Sequence, residues 1–357
     1  MAASIPNKMN AIVLYGPNDA RYEMVATPQP GPMEVLCKVR AIAICGTDPG
    51  IVSGKFKGMW PPSYPFIIGH EWAGEVVVLG PGVTNFKVGD RVCAEAHKGC
   101  GYCRNCMVGR YTICENYGKL ETGHRHYGFT AQGGYAEYCA ISMRSVHHLP
   151  DSVSFEVGTQ VDNAAVALYA VKKGRVYSGD TVAVVGPGAL GLLVTQCAKA
   201  LGATTVIAVG RAGPRLEMSK KLGADEVVDV TREDPVKGLK ELTGGKGVDV
   251  AIESAGKPDA IRYTFDLVKR GGRIVLTGLS GRTEIPIITD RLVLDDLDVS
   301  GIRGNPNCCD EVIPYIASGR VNVQPIITHV VPLRDFGRAL EIVTKRLEGA
   351  IKAVLRP

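Results

Sequence analysis

The sequence has no cluster of basic residues and no stripe in which basic and aromatic residues alternate. Its formal net charge of +5 is spread over 357 residues, and such a mild surplus does not favour a nucleic-acid partner. The first ten residues, MAASIPNKMN, also lack the apolar core of a secretory signal peptide. We therefore expect a cytoplasmic protein that does not bind nucleic acid.

An uninterrupted apolar run of membrane-spanning length is missing as well. The nearest approach is the uncharged stretch 181–198, which is interrupted by Gly186, Pro187, Gly188 and Gly191. A spanning helix needs about 18 or more consecutive apolar residues. A buried strand, a glycine turn and a buried helix explain this stretch better, so no membrane association is expected.

Disulfide bonds are not expected, because the eleven cysteines belong to a long chain without a secretion signal. Four of them, Cys100, Cys103, Cys106 and Cys114, form the pattern C-x-x-C-x-x-C followed by seven residues and the last cysteine. Four thiolates so close in sequence can enclose a tetrahedral ion and leave no open position. The spacing therefore predicts a structural zinc lobe at about 97–116.

Two other kinds of metal site, iron–sulfur clusters and zinc ribbons, have similar cysteine patterns. In bacterial ferredoxins the fourth cysteine lies closer and is followed by proline, which does not fit this chain. A nucleic-acid-binding zinc ribbon is disfavoured because no basic patch surrounds the cysteines. The histidines that follow, His124, His126, His147 and His148, are interpreted mainly as exposed loop residues, with only His124 or His126 expected at a pocket.

A second possible metal site comes from residues at the ends of two apolar strands. Cys45 follows the apolar stretch 35–44, and His70 and Glu71 begin the stretch GHEWAGEVVVLGPGV at 69–83. A thiol and an imidazole at strand ends favour a metal site over a place in the core.

The hydrophobic periodicity changes along the chain. Up to about residue 90, short strands separated by glycine and proline turns predict an antiparallel, barrel-like β domain. From about 164, strands alternate with helices, which predicts a parallel sheet with helices on both faces. We expect one domain at 1–163 with 302–357, and an inserted nucleotide-binding domain at 164–301.

A glycine-rich turn follows the first strand of the second domain and opens a helix. It reads Gly186-Pro187-Gly188-Ala189-Leu190-Gly191. In this context the glycines allow backbone amides and a helix N-terminus to approach a pyrophosphate. The turn therefore predicts a dinucleotide site.

The end of the following strand indicates which dinucleotide is preferred. An NAD site has a carboxylate there for the ribose hydroxyls, but this chain has Gly210, Arg211 and Arg215. Guanidinium groups bind phosphates by bidentate charge-assisted hydrogen bonds. We expect NADP(H) to be preferred; NAD(H) is also accepted if the two arginines are only a solvated helix start.

With these motifs in this order, the sequence resembles the zinc-dependent medium-chain dehydrogenase/reductase family, whose members include alcohol and sorbitol dehydrogenases. The family motif G-H-E-x-x-G-x-x-x-x-x-G-x-x-V is met in full from Gly69 to Val83, and 89–92 matches a further segment. The resemblance covers nearly the whole chain. It implies a GroES-like catalytic domain, an inserted Rossmann domain, two Zn²⁺ ions per chain, and homodimers or homotetramers.

The resemblance also implies a set of catalytic-zinc ligands. These are Cys45, His70 and Asp162, and Asp162 stands where relatives have a cysteine or a glutamate. Because aspartate reaches less far than glutamate, direct ligation and a water bridge both remain open. Glu71 is expected to approach the metal when water leaves. The zinc would act as a Lewis acid on an alcohol oxygen.

Other residues take their roles from the resemblance too. Thr47 is expected to take the hydroxyl proton and Asp48 to orient the ligand histidine; without the neighbouring cysteine, both would be interpreted as a turn cap. Relatives have a histidine five residues beyond that cysteine, where this chain has Gly50. The proton must therefore leave by the ribose, by water or by another group.

Four residues of the later chain match coenzyme-contacting segments of the family. Gly278, Leu279 and Arg303 match segments that line the nicotinamide, and Lys352 matches a basic residue directed at the coenzyme phosphates.

Three functions are compatible with these patterns. The first is an NADP(H)-linked zinc oxidoreductase that interconverts a secondary alcohol, polyol or sugar and its ketone. The second is oxidation of an amino alcohol, as in threonine dehydrogenase. The third is a metal-free NADPH-binding protein of the quinone-reductase or crystallin type, against which Cys45 and His70 argue.

Overall fold

A computed structural model describes residues 5–357, which form two compact units. The first unit runs to Asp162 and also contains Val323–Pro357, and the second is Asn163–Asn322. In the structure residues 302–322 belong to the second unit, whereas the sequence analysis placed them with the first.

Eighteen strands are present in the described residues. In chain order they are β1 (Lys8–Gly16), β2 (Asp19–Ala26), β3 (Glu34–Ala43), β4 (Phe66–Ile67), β5 (Glu71–Leu79), β6 (Arg91–Ala94), β7 (His97–Lys98), β8 (Arg125–His126), β9 (Tyr138–Ser142), β10 (Val146–His148), β11 (Thr181–Val185), β12 (Thr205–Gly210), β13 (Glu226–Asp229), β14 (Val248–Glu253), β15 (Val268–Leu276), β16 (Asp298–Gly301), β17 (Ile327–Pro332) and β18 (Lys352–Arg356).

Eleven α-helices accompany the strands over the same part of the chain. They are α1 (Asp48–Val52), α2 (Arg104–Met107), α3 (Phe155–Gly158), α4 (Val161–Lys173), α5 (Ala189–Ala200), α6 (Pro214–Lys221), α7 (Pro235–Leu242), α8 (Pro258–Leu267), α9 (Thr289–Leu294), α10 (Cys309–Ala317) and α11 (Phe336–Lys345). Short 3₁₀ turns lie at Tyr111–Ile113, Leu120–Thr122, Gln324–Ile326, Leu333–Asp335 and Leu347–Gly349. No helix among residues 5–357 is both long enough and apolar enough to cross a bilayer.

The first unit is built on a seven-stranded sheet in the order β10-β6-β5-β3-β18-β17, with β9 also paired to β3. Smaller sheets, β2-β1-β4 and β7-β8, complete the unit. The pairs are antiparallel except β17 with β18. Its largest buried side chains include those of Trp72, Tyr135 and Ile42. This architecture agrees with the GroES-like domain expected from the sequence.

The second unit is a six-stranded parallel sheet in the order β13-β12-β11-β14-β15-β16. Numbered along the chain from β11, these strands lie from edge to edge in the Rossmann order 3-2-1-4-5-6, and the strand order reverses between β11 and β14. Four of the five residues of β11 are buried, as expected when helices cover both faces of a parallel sheet. The carboxyl ends of β11 and β12 carry the glycine-rich segments.

Candidate active site

The four cysteines of the predicted lobe converge in the structure. The Sγ atoms of Cys100, Cys103, Cys106 and Cys114 all lie within 4.8 Å of one another. A Cβ atom at Gly99 would stand 2.4 Å from the sulfur of Cys106, so the chain needs glycine beside the cluster. Four convergent sulfur ligands fit a closed tetrahedral zinc site.

Hydrogen bonds to the sulfur of Cys100 stabilise its thiolate form. The backbone amide of Cys103 and the side-chain amide of Asn116 each donate to Sγ of Cys100 at 3.4 Å. Burial alone raises the pKa of Cys100, but these donors and the amide of Tyr102 lower it to about 6. The thiolate is the form that binds a metal.

Cys45, His70 and Glu71 form a second group of potential metal ligands. One ligand atom from each lies within 4.8 Å of the other two. Strand register explains the proximity, because Ala43 of β3 pairs with Glu71 of β5. Cys45, the second residue after β3, and His70, which precedes β5, therefore lie close together at the same end of this strand pair.

The turn before His70 requires glycine. Gly69 has a φ of +95°, which L-residues with side chains rarely adopt. A Cβ atom at this position would lie 2.8 Å from both Ile42 and the ring of Tyr135. The turn thereby directs His70 into the unit, where only 5% of its surface is exposed.

Asp48 lies beside this group and is fully buried. Its Oδ2 accepts hydrogen bonds from the amide of Cys45 at 2.7 Å and from the hydroxyl of Tyr135 at 2.6 Å. Its Oδ1 stands 4.0 Å from Nδ1 of His70. Burial raises the pKa of Asp48, while His70 and the two hydrogen bonds oppose the rise.

Thr47 precedes α1 but does not cap it with its side chain. Its buried Oγ1 has no hydrogen-bond partner among residues 5–357. The turn-cap interpretation of this hydroxyl is therefore wrong.

The electrostatic environment of His70 favours a cation. Burial lowers the pKa of this imidazole, yet Cys45, Asp48 and Glu71 together raise it to about 10. A group of such negative potential, with sulfur, nitrogen and oxygen ligand atoms, fits a divalent ion such as Zn²⁺. Lys352 supplies one positive charge, since its Nζ lies 2.5 Å from Oε2 of Glu71 in a buried ion pair.

Asp162 is not part of this ligand group. It lies in the first turn of α4, and its Oδ1 accepts a hydrogen bond from the amide of Ala96 at 3.2 Å. Among the described residues, the carboxylate that forms a group of ligand atoms with Cys45 and His70 is that of Glu71.

Aromatic rings pack against His70 on another side. The ring of Phe129 lies 4.6 Å from that of His70, and His126 stacks on Phe129 at 3.8 Å between centroids. Nδ1 of His126 is hydrogen-bonded to the hydroxyl of Tyr117 at 2.6 Å, and Nε1 of Trp60 donates to the same hydroxyl at 2.8 Å. The sequence analysis did not identify this aromatic group.

The outcome for the loop histidines is mixed. His124 and His126, one of which was expected at a pocket, are both buried. His147 is mostly buried and pairs with Glu95 at 3.1 Å, whereas the side chain of His148 is 62% exposed.

The glycine-rich turn of the second unit is sterically obligatory. A Cβ atom at Gly191 would lie 2.0 Å from the carbonyl oxygen of Gly186, and one at Gly210 would lie 2.3 Å from Pro187. Gly188 is the N-cap residue of α5, which begins at Ala189, so the helix N-terminus opens directly onto the turn; Leu190 follows in its first turn. This geometry fits close approach of a pyrophosphate.

Arg215 reaches towards this turn. Its Nη1 lies 3.9 Å from the position that a Cβ atom would take at Gly188. Arg211 is exposed directly after β12.

The structure also places a carboxylate at the end of β12 that the sequence analysis missed. Asp229 lies opposite Gly210 in the sheet and accepts a hydrogen bond from the amide of Ala212 at 2.9 Å. Its position at the end of the neighbouring parallel strand was the available signal.

Two loops at the same end of the sheet are joined through Glu253. This buried carboxylate accepts hydrogen bonds from the amides of Ala255 and Gly256 at 2.7 and 2.8 Å. A Cβ atom at Gly278 would lie 2.3 Å from the nitrogen of Gly256. Leu279 is 63% exposed, and Arg303 is also exposed.

Comparison with known proteins agrees with both units. The "Alcohol dehydrogenase GroES-like domain" family matches residues 31–151, and the "Zinc-binding dehydrogenase" family matches residues 189–318. Sorbitol dehydrogenase of Bacillus subtilis is 32% identical over 357 residues, which are 100% of this chain and 99% of that protein. The chain belongs to the zinc-dependent medium-chain dehydrogenase/reductase family. It is an oxidoreductase, as the resemblance implied.

Other members of the family are similar over the same length. L-threonine 3-dehydrogenase of Pyrococcus horikoshii is 37% identical over 98% of this chain and 99% of its own. A putative zinc-binding dehydrogenase from Sinorhizobium meliloti 1021, solved bound to NADP, superposes with a TM-score of 0.90 at 29% identity, covering 99% of this chain and 100% of that one. The rspB alcohol dehydrogenase of E. coli CFT073, solved with NADH, gives 0.90 at 26% identity over 99% and 100%. The dehydrogenase fold is therefore shared along the whole chain.

Proposed function

We propose that this dehydrogenase is a zinc-dependent, NADP(H)-linked enzyme that interconverts a secondary alcohol, polyol or sugar and its ketone by hydride transfer. The observation that carries the proposal is the group formed by Cys45, His70 and Glu71. Two anionic ligands and one neutral imidazole balance the charge of Zn²⁺ and leave a fourth position for a substrate oxygen. Zinc bound there would supply Lewis acidity to that oxygen.

The proposed ligand set replaces Asp162 with Glu71. The supporting geometry is that a carboxylate oxygen of Glu71 lies within 4.8 Å of the ligand atoms of both Cys45 and His70. Asp162 is instead engaged with the amide of Ala96. A second zinc ion is proposed for the four-cysteine lobe.

Thr47 and Asp48 are proposed to assist the reaction in different ways. The buried Oγ1 of Thr47 is available to a substrate hydroxyl, since it bonds no other described residue. Asp48 orients His70 from its Nδ1 side. Gly50 offers no side chain to continue a proton relay, so the proton leaves through the ribose, water or another group.

The coenzyme proposal rests on charge. Arg215 lies over the glycine-rich turn and Arg211 follows β12, so two guanidinium groups accompany the site where a 2′-phosphate would bind. Asp229 holds the intervening backbone at Ala212. Both NADP and NADH occur in similar solved structures, so NAD(H) is kept as the weaker coenzyme. Gly278, Leu279, Arg303 and Lys352 remain predicted coenzyme contacts.

Oxidation of an amino alcohol is the second candidate. Its support is the 37% identity to L-threonine 3-dehydrogenase of Pyrococcus horikoshii over nearly the full length. The metal-free NADPH-binding alternative is disfavoured because two convergent ligand groups are present.

We also propose a homodimer or homotetramer. Strand β16 is an edge of the six-stranded sheet, and edge strands present unpaired backbone groups to a partner. Nearby in the chain, Ile288, Val293 and Leu294 are 78%, 79% and 79% exposed. A second copy would cover these apolar side chains. The cytoplasmic location expected from the sequence stays a prediction.

A spectrophotometric screen tests the proposed function. Secondary alcohols, polyols, sugars and L-threonine are offered with NADP and NAD, and zinc is counted in the same preparation. Turnover of a polyol or sugar with two zinc ions per chain supports the proposal. Turnover of L-threonine alone supports the second candidate, and a preparation fully loaded with zinc that oxidises none of these compounds contradicts both.

A further inference from the structure

Tyr135 is fully buried and contacts Gly69 and Asp48, which adjoin the proposed catalytic zinc site. Its hydroxyl donates a hydrogen bond to Oδ2 of Asp48 at 2.6 Å. Burial raises the pKa of Tyr135 well above its ordinary value, and the charge of Asp48 adds to the rise. The hydroxyl therefore keeps its proton and acts as a donor.

The contact restricts the direction of the Asp48 carboxylate. Oδ2 receives two donors, the Tyr135 hydroxyl and the amide of Cys45 at 2.7 Å. Oδ1 is then the oxygen that faces Nδ1 of His70, at 4.0 Å. An N–H on Nδ1 directed to this oxygen leaves Nε2 with the lone pair that binds a metal.

The backbone around Tyr135 is hydrogen-bonded to the backbone segment that precedes His70. Residues 133–135 donate three hydrogen bonds to residues 67–69, with distances of 2.7, 2.8 and 3.0 Å. The ring of Tyr135 lies against Gly69, where a Cβ atom would stand only 2.8 Å away. One short segment thus contacts both the turn that carries His70 and the carboxylate that faces its ring.

We propose that Tyr135 is a positioning residue of the catalytic zinc site, which orients Asp48 and through it the ligand His70. This inference rests on the proposed function. Replacing Tyr135 by phenylalanine keeps the ring against Gly69 and removes one donor from Oδ2. The carboxylate then loses a restraint on its direction. Mutation of the group that directly orients a metal ligand, here Asp48, typically weakens metal binding about 10- to 100-fold, so loss of a partner of Asp48 should weaken it by no more than this.

A matched control is available in the same unit. Tyr127 is also buried, and its hydroxyl accepts a hydrogen bond from the amide of Ser142 at 2.8 Å. Tyr127→Phe therefore removes one buried tyrosine hydroxyl without touching Asp48. Burial raises the pKa of Tyr127 as it does that of Tyr135, so the two hydroxyls are comparable in environment.

The experiment follows zinc release from the full-length, zinc-loaded protein into excess dipicolinate. The Cys45→Ser variant, which keeps only the lobe zinc, identifies the release phase of that ion. We expect Tyr135→Phe to release the other zinc faster than the wild type, by up to about a hundredfold, with the lobe phase unchanged. Tyr127→Phe should release both ions as the wild type does. A cobalt-substituted sample should show a changed visible spectrum for Tyr135→Phe only, and kcat should fall while the coenzyme KM stays constant.

Each other result has a defined meaning. Zinc release by Tyr135→Phe at the wild-type rate overturns the positioning role while leaving the proposed function intact. Faster release of the lobe zinc as well would indicate general loss of packing and overturns it too. A wild-type protein that holds zinc only in its lobe overturns the proposed function and this inference together. In an Asp48→Asn background, adding Tyr135→Phe should produce no further acceleration, and an additive effect contradicts action through Asp48.

Discussion

The guanidinium group of Arg215 lies over Gly188, with Nη1 3.9 Å from the position of a Cβ atom on that glycine. The contact joins the helix that follows β12 to the turn that opens α5. A guanidinium group, which is able to bind phosphate, therefore lies beside the turn at which a dinucleotide pyrophosphate is expected.

Coenzyme preference should depend on the two arginines. Arg211→Asp replaces a cation by a carboxylate at the end of β12, which repels a 2′-phosphate and accepts hydrogen bonds from ribose hydroxyls. Hydrogen bonds to charged groups are each worth about 1.5–3 kcal/mol, so the ratio of kcat/KM for NADP to that for NAD should fall roughly tenfold or more. Steady-state kinetics with both coenzymes measure the ratio.

Arg270→Asp is a suitable control, because this arginine is also exposed in the second unit but lies near the amino end of β15, whereas Arg211 follows the carboxyl end of β12. It should change the ratio much less than Arg211→Asp does. An unchanged ratio in Arg211→Asp would contradict the coenzyme proposal.

Two glycines of the turn should respond differently to alanine. At Gly188 the φ is −78° and only Arg215 lies within 4 Å of the new Cβ atom, so Gly188→Ala should fold normally but bind the coenzyme more weakly. At Gly191 the new Cβ atom would lie 2.0 Å from a backbone oxygen. Gly191→Ala should therefore destabilise the unit by about 1–3 kcal/mol.

Chemical unfolding and coenzyme titration of both variants separate the two effects. Equal losses of stability in the two variants would show that the turn does not have the geometry described.

The sequence predicted much of this architecture because its signals are local. The apolar run at Val248–Glu253 is β14, and the cysteine spacing led directly to the lobe. Cys45 and His70 were predicted from their places at the ends of apolar strands and from the family motif, and the antiparallel pairing of β3 with β5 brings these strand ends together. The third ligand was not settled, because Asp162 and Glu71 differ in side-chain direction, which depends on tertiary packing. The contact of Tyr135 with Asp48 spans 87 residues and leaves no trace in local spacing.

The third ligand can be decided by a pair of isosteric variants. Glu71→Gln removes a charge from the group that contains Cys45 and His70, so zinc affinity at this site should fall at least about 10- to 100-fold. Asp162→Asn keeps the oxygen that accepts from Ala96 and should retain zinc as the wild type does. Zinc counting after dialysis against a chelator measures both. The reverse order of zinc loss would restore Asp162 as the ligand.

The buried ion pair between Arg273 and Asp180 should stabilise the second unit. The distance from Nη2 to Oδ1 is 2.8 Å, and the two side chains are 11% and 5% exposed. Arg273→Met would leave the carboxylate buried without this partner, which typically costs about 3–5 kcal/mol. Arg270→Met is the control, because Arg270 is 87% exposed where it pairs with Asp295, and such pairs contribute about 0–1 kcal/mol. Urea unfolding of the second unit should show a large loss of unfolding free energy for Arg273→Met and not for Arg270→Met. Equal losses of unfolding free energy in the two variants would contradict the assignment of the buried pair as stabilising.

The two proposed zinc ions should be separable by mutation. Cys45→Ser removes a sulfur ligand from the group with His70, so turnover should be lost and zinc content should fall from two ions to one per chain. Cys106→Ser breaks the closed four-sulfur group instead, and should cost stability because a structural zinc ion contributes directly to folding. Metal analysis, turnover and thermal unfolding of both variants test this division. Full turnover of Cys45→Ser, or loss of both ions from it while the fold is retained, would refute the proposed site.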